Sequence, residues 1–194
     1  MDMLLTATVW YLVVSLFSAP GPARGAAEGK PSGHKLPEKA LELVDRVFHS
    51  VGEVSGHALQ LSAVESAEVR AKCMDQWRGD SIIILVPERN DTILGYVVVD
   101  NVKGKDQFIT YALVVTPDLV VRDFEILAYR EPYGYEVTYK SWQEQFFGKR
   151  PEDRLRPGRE IRNISGATIS ARAVTLGVNR ILCTLRILQG RLPR

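Results

Sequence analysis

The chain has 194 residues, of which 45% are hydrophobic and 25% charged, with a formal net charge of +2. That composition excludes a wholly disordered or collagen-like polymer. A charge this small, with no basic stripe interleaved with aromatics, also excludes a nucleic-acid binder. The length, less a leader, fits one ordinary domain.

In chain order, Met3 to Ala19 is nearly unbroken apolar sequence, followed by Pro20, Gly21, Pro22, Ala23, Gly25, Ala26 and Ala27. An apolar run ending in small residues predicts a secretory signal. Met1-Asp2 lacks the usual positive charge, which leaves an uncleaved membrane anchor over residues 3–19 as the alternative. Residues 1–27 are thus expected to be a signal peptide or an N-terminal membrane anchor. Residues 28–37, small, polar and broken by Pro31 and Pro37, are expected to be a linker. Either way, the domain at 38–194 is expected outside the cytoplasm. From Glu38 to Val51 the apolar residues Ala40, Leu41, Leu43, Val44, Val47 and Phe48 fall at helical spacing. A second, shorter helix is expected over Ala63 to Trp77.

Four strands are predicted next: Ser81–Val86, Ile93–Val99, Phe108–Val115 and Leu119–Leu127. Each is rich in β-branched or aromatic residues and bounded by turn formers. The short connections predict an antiparallel meander. An aromatic loop follows at 128–137, then a helical stretch at 141–147. Lys149 to Arg162 reads as a loop, with Pro151, Pro157, six basic and three acidic residues. The last element is a helix from about Ile169 to Leu188, with Val174, Val178, Ile181, Leu185 and Leu188 on one face. The expected fold is α+β: an antiparallel sheet with flanking helices.

Ser165-Gly166-Ala167-Thr168, with Ile169 and Ser170, stands where that last helix begins. A helix N-terminus presents unpaired N–H groups and a positive dipole end, which suit a phosphate. Gly166 permits close approach of the backbone, Thr168 offers a hydroxyl, and Ser165 and Ser170 are further donors. The ordinary alternative is that Ser and Thr here merely cap the helix.

Ser165-Gly166-Ala167-Thr168 resembles the flavinylation motif of the FMN-binding domain family. That family includes the periplasmic flavin subunits of the Rnf complex and of the sodium-pumping NADH:quinone reductase. Glu131-Pro132-Tyr133-Gly134-Tyr135-Glu136 resembles the family's Glu-x-x-Gly loop, and Phe146-Phe147-Gly148-Lys149 its aromatic-Gly-Lys segment. Leu94-Gly95-Tyr96 and Gly104-Lys105 also fit its sheet. The resemblance spans about 81–188. It implies an electron-transfer flavoprotein with its FMN site at the N-terminus of the C-terminal helix. It also implies FMN carried on Thr168 through a phosphoester installed by a flavin transferase, with Ser165, Gly166, Ala167, Ile169, Ser170, Glu131, Tyr133, Gly134 and Tyr135 expected around it. It further implies a redox partner protein or a membrane electron-transport complex. One position departs from the family: Arg162 stands where the family usually has Asp, six residues before the flavinylated Thr. Arg162 is therefore a candidate to neutralise the phosphate, and non-covalent FMN is the alternative to the ester.

Tyr133 and Tyr135 are candidates to wall the flavin ring. Glu131 and Glu136 are read as positioning the loop or tuning the flavin. His34, His49 and His57 lack metal spacing, so no metal is expected. Cys73 and Cys183 form no CxxC and are either two buried thiols or one disulfide. On this reading the chain is an electron carrier rather than a stand-alone oxidoreductase. Its rivals are a reductase of a small extracytoplasmic acceptor and a flavin-free module of the same fold.

Overall fold

The computed structural model describes residues 38–73 and 79–194; the expected leader and linker, and Trp77, lie outside them. Helix α1 (Glu38–Phe48) is followed by strand β1 (Glu53–Gln60), helix α2 (Ala63–Lys72) and strand β2 (Ser81–Arg89). The short β3 (Thr92–Ile93) leads into β4 (Tyr96–Lys103), β5 (Phe108–Val115) and β6 (Val121–Ala128). Three 3-10 turns and the single-turn α3 (Lys140–Gln143) then lead to the long α4 (Thr168–Ile187). All pairings are antiparallel, in the order β1-β2-β4-β5-β6, with β3 on β2. The α+β expectation therefore holds.

The strands divide their side chains between two cores, as a period of two requires. Ile109, Tyr111, Leu113 and Val115 of β5, with Val98 of β4 and Phe124 of β6, pack beneath α4. Ala112 and Val114 of β5, with Val97 and Leu85, pack against Leu43, Val44, Val47 and Phe48 of α1. The result is three layers: α1, the sheet, and α2 with α4.

Two devices lock α4 to its layer. Cys73, at the end of α2, is disulfide-bonded to Cys183 in α4, closing 110 residues of sequence. Of the two readings of the cysteines, the disulfide is the one realised. Nearby, the Asp100 carboxylate accepts from the Tyr111 hydroxyl at 2.7 Å and from the Arg180 guanidinium, which is itself buried.

Several boundaries differ from expectation for local reasons. The helix expected to reach Trp77 stops at Lys72, because Cys73 turns to extended backbone (φ −87, ψ 122). The strand expected over Ile93–Val99 is broken at Leu94–Gly95, where the Leu94 N–H turns to Pro87 O at 2.9 Å. Strand β1 was not expected at all. Its sequence, Glu-Val-Ser-Gly-His-Ala-Leu-Gln, buries little beyond Val54, and eight register pairs to β2 hold it in place.

Candidate functional site

The motif loop enters α4 through backbone geometry. Gly166 has φ +85, a left-handed conformation that L side chains rarely adopt. Ala167 then occupies the N-cap position with no side-chain cap, and Thr168 is the first helical residue. The ordinary capping role is therefore not what Ser165 or Thr168 performs. The first N–H groups of α4 receive no side-chain acceptor from the cap, which leaves the positive end of a 20-residue helix available to an anion. The exposed Thr168 hydroxyl donates to Ile164 O at 3.3 Å, long for an O–H···O bond and easily given up.

The aromatic loop after β6 docks on this turn through Tyr129. Its hydroxyl donates to Tyr133 O at 2.6 Å and lies 2.9 Å from Ser170 Oγ. With its single hydrogen committed to the carbonyl, Tyr129 accepts the proton of Ser170. Burial pushes the Tyr129 phenol upward, the Ser170 bond opposes this, and Glu131 and Glu136 add to the rise. Tyr129 therefore stays neutral and serves as a clamp. Gly134 makes the docking possible. At φ +86, a Cβ there would meet Tyr129 OH at 2.8 Å and Ala167 Cα and Ser170 Oγ at 3.3 Å.

Glu131 is turned to another task. Its Oε1 accepts from the N–H groups of Asp106 at 2.8 Å and Gln107 at 3.0 Å, tying the loop to the β4–β5 turn. Those bonds, led by Gln107, hold its carboxyl below the usual carboxylate range. Of the two roles read for Glu131, loop positioning is the one its contacts show.

Together these elements form an open cleft of about 240 Å³, lined by Gly166, Ala167, Thr168, Ile169 and Ser170 on one side. Glu131, Pro132, Tyr133, Lys105 and Asp106 line the other side. Two segments 35 residues apart in sequence, both singled out by motif, thus share one depression. Tyr133 and Ile169 stand exposed at its rim, 78% and 53% accessible. Glu136 lies behind the motif loop. Its Oε1 is 3.9 Å from where a Cβ on Gly166 would sit, and its Oε2 is buried with no hydrogen-bond partner.

Three expected site residues fall elsewhere. Arg162 is exposed and binds Gln145 Oε1 through its backbone N–H at 2.9 Å and its Nε at 3.3 Å. Ser165 is exposed outside the cleft lining. Tyr135 faces a second, larger groove. The cation that does line the cleft is Lys105. A lysine in a turn carries no distinguishing signal in the sequence. Tyr129 carries no signal in the sequence beyond its place in the aromatic loop at 128–137. Among the described residues no group of three His, Cys, Asp or Glu side chains forms a metal site.

The chain is similar to known proteins in one domain and in fold. Residues 104–183 match the FMN-binding domain. That span contains the β4–β5 turn, the aromatic loop, the motif loop and most of α4, so the resemblance read from the motifs is borne out. The fold is similar to the crystal structure of NqrC from Shewanella oneidensis, with a TM-score of 0.53 and 14% identity. The likeness covers 96% of this chain and 97% of that one. At that identity the likeness is one of fold. No curated protein sequence matches the chain. The FMN-binding domain supports a flavoprotein.

Proposed function

We propose that the chain is an extracytoplasmic electron-transfer flavoprotein whose FMN phosphate is esterified to Thr168. The observation that carries this reading is the cleft in which Thr168 meets the Glu131–Gly134 loop. Its features suit FMN. An uncapped helix N-terminus and Lys105 favour a phosphate. The ribityl hydroxyls are donors of the kind that Glu136 Oε2 lacks. Tyr133 and Ile169 offer an exposed wall to a flat ring.

The flavin supplies the redox chemistry, and the protein's residues hold and orient it. Transfer of the FMN phosphoryl group from a flavin dinucleotide would break the donor's P–O–P bond, release AMP together with the Thr168 hydroxyl proton, form the Oγ–P bond and give up only the long contact to Ile164 O. The clamp of Tyr129, Ser170 and Gly134 fixes the first turn of α4, and hence the direction in which Thr168 points. Lys105 takes the charge-neutralising role read for Arg162, whose side chain is engaged by Gln145.

The Cys73–Cys183 disulfide supports an oxidising, extracytoplasmic compartment, as does the apolar leader sequence. The family resemblance and the NqrC-like fold favour a place in a membrane electron-transport complex, with a flavin transferase acting during maturation. The test is ultraviolet fluorescence of the denatured band after export alongside a flavin transferase. The wild-type band should fluoresce and the Thr168→Val band should be dark. A dark wild-type band would remove the ester and leave non-covalent FMN.

A further inference from the structure

The larger depression of the surface, about 740 Å³, lies on the α1 side of β6 and is unconnected with the motif loop by sequence. Its walls carry Lys39, Arg46, Arg130 and Lys140 against one carboxylate, Glu125. Arg46 is engaged by Glu125 and Asp123, and Lys140 by Asp123 at 2.8 Å. Lys39 and Arg130 have no ion-pair partner among the described residues. Four cations against those two carboxylates leave the groove positively charged.

The same groove has an aromatic margin. Tyr129 and Tyr135 line it, and their rings meet edge to face at 6.0 Å between centroids. Tyr139 continues the row at 6.2 Å from Tyr135. Tyr135 and Tyr139 are 61% and 54% exposed, although aromatic rings of this size normally find cover. Exposed tyrosines beside arginine and lysine are the composition of a protein-binding surface rather than of an inert one. Tyr129 also reaches the other site, since its hydroxyl touches Ser170 in the first turn of α4. Tyr129 thus links the groove to the turn of α4 that lines the Thr168 cleft.

We infer that this groove is the docking face for an acidic redox partner protein, which exchanges electrons with the flavin across the Tyr129–Tyr135 wall. The inference rests on FMN at Thr168. Charge complementarity selects the partner: a surface with unpaired Lys39 and Arg130 attracts a carboxylate-rich face and repels a basic one. Docking on the groove brings the partner against Tyr129, whose hydroxyl is bonded to Ser170 of the cleft lining.

The test uses the full-length flavinylated protein, photoreduced, with two one-electron acceptor proteins as probes: acidic plastocyanin and basic cytochrome c. Each reduced flavin gives two electrons, one to each of two acceptor molecules. Copper(II) becomes copper(I), or iron(III) becomes iron(II), and the flavin's protons pass to water. At low ionic strength plastocyanin should be reduced about tenfold faster than cytochrome c, with the difference shrinking as salt is added. The double variant Lys39→Glu/Arg130→Glu should erase or reverse that preference at unchanged flavin content. Tyr135→Ala should slow plastocyanin severalfold at every salt concentration, which a purely electrostatic effect would not do. Equal rates for the two acceptors, or rates indifferent to the groove variants in a fully loaded protein, would overturn the docking inference alone. A chain that acquires no flavin and reduces neither acceptor would instead overturn the FMN reading beneath it.

Discussion

The two faces of the sheet are held by different means. On the α4 face the apolar core is supplemented by a covalent bridge, Cys73–Cys183, and by the buried Asp100–Arg180–Tyr111 cluster. On the α1 face buried side chains such as Leu43, Val44 and Phe48, the exposed ion pairs of Arg46 with Asp123 and Glu125, and a hydrogen bond from Arg122 to Val47 O join the helix to the strands beneath, with no covalent bridge. The cleft with Thr168 opens at the end of the reinforced helix, and the charged groove borders the helix that no covalent bridge holds. The difference teaches that the helix whose first turn lines the Thr168 cleft is the one tied covalently to its layer. The face that a partner would approach relies on burial, surface ion pairs and single hydrogen bonds.

The largest expected effect tests the reinforcement. Cys73→Ser/Cys183→Ser reopens a loop of 110 residues, for which chain entropy gives a loss of about 4–5 kcal/mol. Urea unfolding of the oxidised protein against the double variant measures it. A smaller loss than that of an α1 core variant would break the comparison. That second variant is Leu43→Ala. Leu43 is completely buried, and its truncation should cost about 3 kcal/mol in the same titration. Flavin fluorescence of the folded protein should be unchanged, because α1 contributes nothing to the cleft lining.

The smallest effect concerns the approach to the motif loop. The Arg156 guanidinium binds Glu160 and lowers its carboxyl to about 2. A depressed carboxyl contributes stability that is fully present above the unfolded value of about 4.5 and is lost as pH falls toward 2. Because the pair is at the surface, the contribution should be small and screened by salt. Carboxyl NMR titration of the folded protein should place the Glu160 midpoint near 2, and Arg156→Gln should return it toward its ordinary value.

Much of the fold was legible because the inner strands are buried on both sides. Phe108–Val115 reads as an apolar run and is β5 to the residue, and α4 begins one residue before its predicted start. What escaped depended on long-range geometry. The cysteine pairing follows from where α2 ends over α4. Arg162 looked like a phosphate ligand by proximity in sequence, yet its backbone and Nε both turn to Gln145. Lys105 looked like an ordinary turn residue until the fold brought the β4–β5 turn against the motif loop. Of the site itself, the residues at 131–134 and 166–170 were found by motif. Their clamp, Tyr129, acts through hydrogen bonds that no spacing encodes.

Strand β1 escaped notice because it is polar, small and interrupted by Gly56, and that same composition suits its place. It borders the sheet with β2 on one side only, so its other row of N–H and C=O groups faces outward. An apolar, flat strand in that position would template the addition of a neighbouring molecule's strand and lead toward fibrils. Glu53, His57 and Gln60 at this border make such stacking unfavourable. The strand that is hardest to recognise in the sequence is thus one whose composition discourages strand addition at its border.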